Sequence, residues 1–454
     1  MPFDANDRAA AGPGPGRTLR IAVIGGGVSG LSAGWLLSSR HEVIVYERDR
    51  RLGGHANTVD VPLGRTTVPV DAGFIVFNKP NYPNLTALFE RLGVSTVSTD
   101  MSFGASLDGG RIEYSGDGLS ALFARRRNIV SPSHWAMLAD IVRFNREAKR
   151  ALERGLGDGV TLGDFVRAEK FSTPFVTRFL EPMAAAIWST PSQRILDYPA
   201  ASLFRFYANH GLLQTSSPPR WSTVAGGSRC YVDKIAAPLT AAARLGVGVV
   251  GVERIDGGVI VRDDAGGADR FDAVVLATHA DRALALLHAP TSREQALLGA
   301  FEYQANRAVL HFDARQMPRR RAAWASWNYL GGAGTASVTY WMNRLQGLGG
   351  GRDVFVTLNP VRPVRAEDIV AEFDYEHPVF DVGACAAQKE LWSLQGVGGV
   401  WFCGAHFGSG FHEDGLQAGL AVAEDLGGVR RPWCVAGESA RIWRAAPGLA
   451  AAAE

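Results

Sequence analysis

The first clear hydrophobic pattern along the chain is the β-branched, apolar run Leu19–Ile24, which predicts a buried parallel strand. A glycine-rich turn and an apolar helical segment follow, and we expect this helix to end near Ser38. The next apolar run, Glu42–Tyr46, predicts a second strand. Strand, glycine turn, helix and strand in this order form a βαβ unit, so the pattern predicts an α/β fold with a parallel sheet.

Helical periodicity dominates the stretch from Tyr82 to His210. Its amphipathic segments Ser133–Leu152 and Leu162–Ile187 predict helices, and we interpret the stretch as a mostly helical part of a substrate domain. Apolar runs typical of strands return after Trp221. The further predicted elements are strands at Val247–Ile255, Gly258–Arg262, Phe271–Ala277, Ala308–Phe312, Ser337–Trp341, Val354–Leu358 and Val400–Cys403, and a helix over Gly415–Leu426.

These elements predict two interleaved domains, because a chain of 454 residues is too long for one small core. We assign 19–81, 220–289 and 396–430 to a discontinuous nucleotide-binding domain. An α+β substrate domain then comprises 82–219 and 290–395. We expect flexible tails at 1–18 and 431–454.

Composition narrows the class of protein. Apolar residues make up 46% of the chain and charged residues 20%, as in soluble globular proteins. The 47 basic and 45 acidic residues nearly balance, which argues against a nucleic-acid-binding protein. No cysteine pair has CxxC or metal-ligand spacing, so we expect free thiols in a reducing, cytoplasmic compartment and no metal site. The cysteines are Cys230, Cys385, Cys403 and Cys434.

Neither of two N-terminal segments has the residue pattern of a targeting signal or of a membrane-spanning helix. Residues 1–20 are polar and rich in Pro and Gly, without the apolar core of a secretory signal. The stretch Ile21–Leu37 is apolar, but its glycines follow a nucleotide-binding pattern and charged residues come directly after it. We therefore expect no membrane-spanning helix here.

The strongest chemical motif is the run Gly25-Gly26-Gly27-Val28-Ser29-Gly30, which fits G-x-G-x-x-G. Gly25 permits a tight turn, Gly27 lets the backbone approach a pyrophosphate, and Gly30 allows close packing of helix on strand. The helix that follows offers free N–H groups to phosphate. Glu47, at the end of the second predicted strand, is placed to bind a ribose hydroxyl. Together these features predict a Rossmann-type dinucleotide-binding domain.

The next segment, Glu47-Arg48-Asp49-Arg50-Arg51-Leu52-Gly53-Gly54-His55, resembles the FAD-dependent amine-oxidase and phytoene-desaturase superfamily. That pattern is Glu-x-x-x-Arg-x-Gly-Gly-Arg, so Arg51, Gly53 and Gly54 match and His55 replaces an arginine. The resemblance implies FAD as cofactor, bound by these residues and Arg48. No second G-x-G-x-x-G follows a clear strand, so we expect no resident NAD(P)H domain and a flavin reoxidised by oxygen or another acceptor.

Further stretches resemble the cofactor elements of the same superfamily and imply additional FAD contacts. Gly73 and Phe74, in Asp71-Ala72-Gly73-Phe74, correspond to the passage beside the isoalloxazine ring. Val252 corresponds to the residue whose backbone meets adenine, and Ala277 ends the strand that closes the cofactor domain. The implied contacts near the C-terminus are Gly404 after a strand and Gly415 and Leu416 in a helix that points at the flavin.

Finer details resemble a bacterial subgroup that includes the desaturase of furan fatty acid formation. They lie in Gly53–Thr58, Asp71–Asn78 and Phe411–Gly415. The resemblance implies a methylated or unsaturated fatty acyl substrate, in some cases on a phospholipid, and a fatty-acid methyltransferase as partner. Two alternatives stay open: a flavin amine oxidase, for which Phe411 offers only one cage ring, and a non-catalytic FAD-binding partner of the methyltransferase.

Two residues are the best candidates for catalysis. His412 and Glu413 precede the predicted flavin-facing helix and are candidates for a proton-accepting base or for positioning; a structural hydrogen bond is the alternative. Asp414 is predicted as the helix N-cap. For some other polar or aromatic residues, the substrate face and core packing are equally good assignments. These residues are Phe74, Phe77, Tyr82, Trp188, Tyr340, Trp341 and Asn343.

Two short basic runs interrupt the otherwise mixed charge pattern. They are Arg125–Arg127 and Arg319–Arg321. Each is either a solvated loop or helix end, or a contact with anionic lipid head groups on the inner face of the membrane.

Overall fold

Strands and helices follow the predicted order over most of this computed structural model, which describes residues 17–157, 159–188, 195–213, 219–332, 335–349 and 351–444. The strands are β1 Arg20–Ile24, β2 Glu42–Glu47, β3 Thr58–Leu63, β4 Thr66–Asp71, β5 Phe77–Asn78, β6 Thr96–Thr99, β7 Phe103–Leu107, β8 Ile112–Ser115, β9 Trp221–Val224, β10 Arg244–Leu245, β11 Val249–Ile255, β12 Gly258–Asp263, β13 Ala268–Phe271, β14 Ala273–Leu276, β15 Glu302–His311, β16 Trp327–Gly332, β17 Thr335–Trp341, β18 Phe355–Leu358, β19 Ile369–Val379 and β20 Val400–Phe402. The helices are α1 Val28–Leu37, α2 Pro83–Leu92, α3 Leu119–Leu122, α4 Pro132–Glu153, α5 Leu162–Ala168, α6 Thr173–Phe175, α7 Glu181–Trp188, α8 Ala200–Asn209, α9 Arg229–Ala236, α10 Ala280–Leu286, α11 Ser292–Leu298, α12 Met342–Leu345, α13 Val382–Gln388 and α14 His412–Gly427.

A parallel sheet in the order β10-β2-β1-β14-β20 joins segments from the start, middle and end of the chain. Its inner strands are continuous apolar runs, as expected of strands covered on both faces. In the register, Val23 lies opposite Val45 on one side and Val275 on the other. Because the strands are parallel, their carboxyl ends meet at one edge of the sheet.

Helices α1 and α14 pack closely, and glycines make this possible. A Cβ on Gly419 would lie 2.2 Å from the carbonyl oxygen of Ser29 and 2.2 Å from Oγ of Ser32. A Cβ on Gly415 would lie 2.7 Å from Oγ of Ser29. The last helix of the fold is thereby fixed directly against the helix that follows the glycine-rich turn.

The predicted strand Phe271–Ala277 is two strands. Strand β13 belongs to an antiparallel sheet, in the order β11-β12-β13, and β14 belongs to the parallel sheet. Asp272 separates them, because its N–H donates to the carbonyl of Arg20 and its carboxylate accepts from the N–H of Arg20 at 2.8 Å. In the sequence, Asp272 was a single polar residue within an otherwise apolar run, so we did not predict the change of sheet.

A seven-stranded sheet, in the order β19-β15-β18-β17-β16-β7-β8, forms the other half of the fold. Its strands β7 and β8 come from the stretch that we predicted to be mostly helical, and β7 pairs in parallel with β16. Helices α4, α5 and α8 of the same stretch pack through buried aromatic rings, such as Phe165 against Phe204 at 4.7 Å. The boundaries of the two interleaved domains stay a prediction.

The segment 431–444 is not the flexible tail that we expected. The buried guanidinium of Arg431 binds both carboxylate oxygens of Glu424 at 2.8 and 2.9 Å and Oδ1 of Asn84 at 2.9 Å. The ring of Trp433 stacks on Trp35 at 5.9 Å. Of the two predicted tails, residues 1–16 and 445–454 lie outside the described residues, whereas Arg17 forms an ion pair with Asp272 at 2.5 Å.

No helix in the described parts of the chain combines the length and the apolar character that crossing a bilayer requires.

Replacing Gly419 by Ala should destabilise the protein. The new methyl group would meet the backbone of α1, which cannot rotate away, so we expect a loss of about 1–3 kcal/mol in the free energy of unfolding despite the better helix propensity of Ala. Chemical denaturation measures this loss. Gly349→Ala is the control, because a Cβ there meets nothing within 4 Å. Equal stability of the two variants would contradict the tight α1–α14 contact.

Candidate active site

A cavity of about 1160 Å³ opens at the carboxyl ends of the parallel strands. Ile24 and Glu47 line it at the ends of β1 and β2, and Ala277 and Gly404 line it just after β14 and β20. Ligands of open α/β sheets bind at this edge. The cavity exceeds the roughly 300–1,000 Å³ that is usual for one drug-sized ligand, so it has room for more than one molecule.

The glycine-rich turn forms one wall of this cavity. Gly25 has a φ of +106°, and a Cβ there would lie 2.8 Å from the carbonyl oxygen of Ala277. A Cβ on Gly30 would lie 1.9 Å from the carbonyl oxygen of Gly25, so Gly30 serves helix–strand packing and does not line the cavity. Gly27 faces open space. The members of the motif that line the cavity are Gly25, Gly27, Val28 and Ser29.

Glu47 lies on the cavity wall with both carboxylate oxygens partly engaged. Oε2 accepts from the N–H of Gly26 at 2.7 Å, and Oε1 accepts from the N–H of Asp49 at 2.9 Å. A carboxylate has about four lone-pair sites, so acceptor capacity for hydroxyl groups is left. Arg48, next to it, is exposed at the rim.

The Gly53-Gly54 loop is held by Arg51. Its Nη2 donates to the carbonyl of Gly54 at 2.9 Å and its Nη1 to the carbonyl of Ala56 at 3.3 Å. Gly53 and Gly54 have φ values of +111° and +55°, which favour glycine. All three predicted residues line the cavity, and Arg51 also shapes the loop.

His55 lies on the same wall, at the position where the superfamily pattern has an arginine. Its ring stacks on Tyr375 at 4.8 Å and lies 5.5 Å from the ring of His377. Its buried Nε2 has no hydrogen-bond partner among the described residues. Burial, together with the neighbouring histidines, lowers the pKa of His55 well below its ordinary value. A neutral ring nitrogen is thus available to a bound ligand.

His412 and Phe74 form a stacked pair that also lines the cavity. Their rings lie 3.9 Å apart and nearly parallel, and Nε2 of His412 lies 2.5 Å from the hydroxyl of Tyr231. Burial lowers the pKa of His412 to about 3 and raises that of Tyr231. The buried hydroxyl of Tyr231 has no other hydrogen-bond acceptor among the described residues, so we infer that it donates to Nε2 and that the proton of His412 lies on Nδ1. Gly73 also lines the cavity and turns beneath His55, because a Cβ there would meet the His55 carbonyl at 2.1 Å.

Glu413 is not at the cavity, which is a correction to its place among the catalytic candidates. Its buried carboxylate accepts from the backbone N–H groups of Asn84 and Leu85 at 2.9 Å and from the side chain of Gln417 at 3.1 Å. These contacts tie the start of α14 to the start of α2. Burial raises the pKa of Glu413, against the effect of its hydrogen bonds.

Helix α14 begins three residues earlier than predicted, so His412 and Glu413 lie in its first turn. Phe411 is the N-cap residue. Asp414, which we predicted as the cap, lies inside the helix, where its carboxylate accepts from the N–H of Phe411 at 2.8 Å and from Arg441 at 3.1 Å. We predicted the start of the helix too late because we took Asp414 for the N-cap residue, whereas its carboxylate accepts a hydrogen bond from inside the first turn.

Three further predicted contacts do not line the cavity. Val252 is buried, and its carbonyl accepts from the N–H of His288 at 2.9 Å, while Val249 on the same strand does line the cavity. Gly415 and Leu416 lie in the packed contact with α1 and the core.

The far part of the cavity is apolar. The described lining residues from 82–213 and from β16–β18 carry no Asp, Glu, Lys or Arg side chain. His210 is among them, and burial lowers its pKa to about 3, so it is neutral at physiological pH. We call this surface the apolar wall. Its residues are Tyr82, Met101, Phe103, Met183, Ile187, Phe206, His210, Leu212, Trp327, Tyr340 and Leu358.

The structure shows which of the residues left between the substrate face and the core line the cavity. Tyr340, Tyr82 and Phe74 line the cavity. Phe77 is buried in the core, and Trp341 packs on Trp324 at 5.4 Å. The remaining two are Asn343, which binds the backbone of 352–354, and Trp188, whose side chain lies outside the described residues.

Several lining residues were not predicted from the sequence. Tyr375 and His377 face the cavity from β19, and His279 lies after β14. All residues of the run Glu372–Pro378 on β19 line the cavity, so a period of two along the strand did not mark Tyr375 and His377. His279 and His210 stood in no recognisable pattern.

Comparison with known proteins identifies the family. The sequence profile of flavin containing amine oxidoreductases matches residues 28–350, which is well over half of the chain. The chain belongs to this family. Among curated relatives, coproporphyrinogen III oxidase from Mycobacterium leprae is 26% identical over 289 residues, which span 58% of this chain and 60% of that protein. The chain thus matches less than two thirds of that relative's length.

Solved structures share the family's fold. Putrescine oxidase bound to putrescine superposes with a TM-score of 0.64 at 16% identity, covering 90% of this chain and 99% of that one. The CLA-producing fatty acid isomerase from P. acnes has a TM-score of 0.64 at 15% identity, covering 89% and 97%. The fold is that of an amine-oxidase-like α/β flavoprotein, and the protein is an FAD-dependent oxidoreductase.

The residues of the cavity fit FAD. Gly27 leaves the open space that a pyrophosphate needs, at the start of α1, where free N–H groups favour negative charge. Glu47 keeps acceptor capacity for ribose hydroxyls. Nε2 of His55 has no hydrogen-bond partner among the described residues, so a polar group of the cofactor can bond to it. We therefore expect the turn at Gly25–Gly30, Glu47 and His55 to hold the cofactor.

The tautomer of His412 is testable. We expect a neutral imidazole with its proton on Nδ1 and with Nε2 accepting from Tyr231. Nitrogen-15 chemical shifts of labelled histidine in the holoprotein measure this. Tyr231→Phe should shift the His412 signals and lower the free energy of unfolding by about 1–3 kcal/mol, because a buried acceptor loses its partner. Unchanged His412 shifts in this variant would contradict the assignment.

The buried neutral histidines predict acid sensitivity. Burial lowers the pKa of His210 to about 3 and of His377 to about 4, whereas an unfolded histidine titrates near 6.5. The unfolded state therefore binds more protons below about pH 6.5, so stability is lost as the pH falls toward the folded pKa values. Each group should contribute about 1.4 kcal/mol of this loss per pH unit.

Denaturation at about pH 7.5 and about pH 5.5 checks this expectation. His210→Phe keeps the ring that stacks on Phe206 but removes the titrating group, so its stability should depend less steeply on pH. His288→Gln is the control, because His288 is exposed. A slope that is the same in His210→Phe as in the unmodified protein would refute the role of His210.

Proposed function

We propose that this FAD-dependent oxidoreductase acts on a methylated or unsaturated fatty acyl chain, either free or within a phospholipid, as a desaturase or oxidase. The observation that carries the proposal is the apolar wall. A charged substrate group placed against it would lose its hydration without finding a counter-ion, which costs several kcal/mol. An acyl chain loses no hydrogen bond there and gains from burial.

The shape of the cavity also suits a long substrate. The apolar wall draws on strands β7, β16, β17 and β18 and on helices α7 and α8, so apolar surface extends across several elements. The carboxylates that the seven-stranded sheet contributes to the cavity lie on β19, a strand that contributes no residue to the apolar wall. One of them, Glu372, forms an ion pair with Arg307. The fatty acid isomerase of the same fold supports the proposal, since an acyl substrate is compatible with this architecture.

The cofactor supplies the redox chemistry, because the flavin ring of FAD can accept a hydride from a C–H bond. The chain's residues define the surroundings of that reaction. His412, neutral and with Nε2 occupied by Tyr231, is suited to donate a hydrogen bond from Nδ1 and poorly suited to accept a proton.

Amine oxidation is the alternative that the family and the putrescine oxidase fold keep open. Phe411 lines the cavity and stacks on Phe206 at 4.6 Å with 22° between the rings, so the two form one stack and do not face each other as a cage. No lysine is present among the described residues that line the cavity. Both observations favour the acyl substrate.

Anaerobic titration of the purified holoprotein tests the proposal. Loss of the oxidised flavin absorbance with a methylated or unsaturated fatty acid or phospholipid, and not with amines, is the expected result. Bleaching by an amine alone would replace the acyl substrate by the alternative. Reduction by dithionite without bleaching by either class would favour a non-catalytic partner of a fatty-acid methyltransferase.

A charge on the apolar wall should impair acyl oxidation selectively. Met183→Glu places a carboxylate against the substrate side, and we expect flavin reduction by the acyl substrate to slow by on the order of tenfold or more. Stopped-flow absorbance measures this rate. Met183→Leu is the matched control and should retain it, and dithionite should reduce both variants equally. An unaffected Met183→Glu enzyme would remove the apolar wall from the substrate site.

A further inference from the structure

The stretch from α3 to the start of α4 exposes an unusual number of large apolar side chains. Leu119 is 77% exposed, Val130 81%, Ile129 53% and Trp135 51%. In a soluble globular protein such side chains are usually scattered singly, and a contiguous group marks an interaction surface. We call the group the α3–α4 surface, and it comprises Leu119, Arg125–Arg127, Ile129, Val130 and Trp135.

The arginines within this surface have no acidic partners. None of Arg125, Arg126 or Arg127 forms an ion pair with a described residue, although most other ordered arginines do. The second basic run behaves differently. There Arg320 pairs with Glu113 at 2.6 Å and Arg321 pairs with Asp353 at 2.8 Å. Among the described residues, all three arginines of the first run lack an ion pair, whereas in the second run only Arg319 does.

The apolar side chains are held out by local structure. Nε1 of Trp135 donates to the carbonyl of Ile129 at 2.8 Å, and the Trp135 ring contacts Phe123 at 5.3 Å. Ser131 caps α4 by accepting from the N–H of His134, and Pro132 begins the helix. The turn that exposes Ile129 and Val130 is thus tied to α4 on one side. Its exposure is a property of the fold.

We propose that the α3–α4 surface docks on an anionic phospholipid bilayer. Exposed aliphatic side chains enter the interfacial region, tryptophan is favoured at that depth, and unpaired arginines bind anionic head groups. The three features occur together within residues 119–135. A protein partner would match the apolar side chains, but three adjacent unpaired arginines beside a tryptophan fit the charge and layering of a membrane surface better.

The surface is connected to the apolar wall. Arg178 donates from Nη1 to Oγ of Ser133 at 2.9 Å, and its carbonyl accepts from the hydroxyl of Tyr114 at 2.6 Å. Arg178 lies in the π-helical turn Val176–Leu180, which leads directly into α7 with Met183. We infer that docking brings the acyl-binding wall toward the membrane; this step rests on the proposed function, whereas the docking does not.

Vesicle co-sedimentation of the FAD-loaded protein tests the docking. We expect binding to vesicles of phosphatidylcholine mixed with phosphatidylglycerol, weaker binding at high salt, and little binding to phosphatidylcholine alone. Arg126→Gln with Arg127→Gln should lower the partition coefficient on the order of tenfold or more at low salt. Ile129→Ser with Val130→Ser should also lower it severalfold. No binding to the anionic vesicles, or equal binding to both kinds, would overturn the proposal.

Matched controls separate the surface from general charge and apolarity. Arg65→Gln removes an exposed arginine elsewhere, and Val382→Ser removes an exposed valine elsewhere. Both should bind as the unmodified protein does, and a loss as large as that of the test variants would refute the surface. The flavin spectrum of each variant verifies its fold.

A second readout does not depend on multiple substitutions. Brominated lipids should quench part of the tryptophan fluorescence of the unmodified protein, and that part should be lost in Trp135→Phe. Quenching that is identical in both proteins would exclude contact at Trp135. If anionic vesicles bind but no acyl substrate bleaches the flavin, the docking stands and the proposed function fails.

Discussion

Backbone contact at glycines is the constraint on which the cofactor site depends. The turn at Gly25 and the start of α1 must fit between β14 on one side and α14 on the other. Any side chain at Gly30 or Gly419 would occupy the position of a carbonyl oxygen, at 1.9 and 2.2 Å respectively. Since main-chain atoms cannot move aside as a side chain can, these positions determine how the first, middle and last segments of the chain come together.

That assembly explains the chemistry of the cavity. The glycine-rich turn follows β1, Glu47 ends β2, His279 lies after β14 and His412 begins α14. Once these groups converge in a buried space, desolvation keeps the histidines neutral and leaves few fixed charges near the apolar wall. Under the proposed function, neutral donors and an apolar wall suit hydride chemistry on an uncharged chain. The charged side chains that line the cavity lie at its cofactor end and on β19.

Local patterns were a good guide where one physical cause acts within a short segment. The βαβ unit and the glycine motif were predictable, because strand burial, the turn and the helix start each follow from neighbouring residues. Prediction failed where a distant partner decides the outcome. For Glu413 the sequence left catalysis and a structural hydrogen bond open, and the N–H groups of α2 decide for the hydrogen bond. Phe271–Ala277 was predicted as one strand, but the hydrogen bonds between Arg20 and Asp272 divide it into two. The segment 431–444 likewise packs because Glu424 and Asn84 lie beneath Arg431.

From the sequence by itself we predicted a dinucleotide-binding turn followed by an acid placed to bind ribose, since glycine spacing and strand burial are local properties. The resemblance carried by the next segment, Glu47–His55, implied FAD, and the family match supports it. Only the tertiary structure decided which polar residues meet the cavity and with what charge. The histidines at 55, 279, 377 and 412 come from four separate segments, and their proton affinity depends on burial that none of those segments produces alone. Hydrogen bonding and desolvation at a site are set by neighbours in space, and those neighbours are distant along the chain.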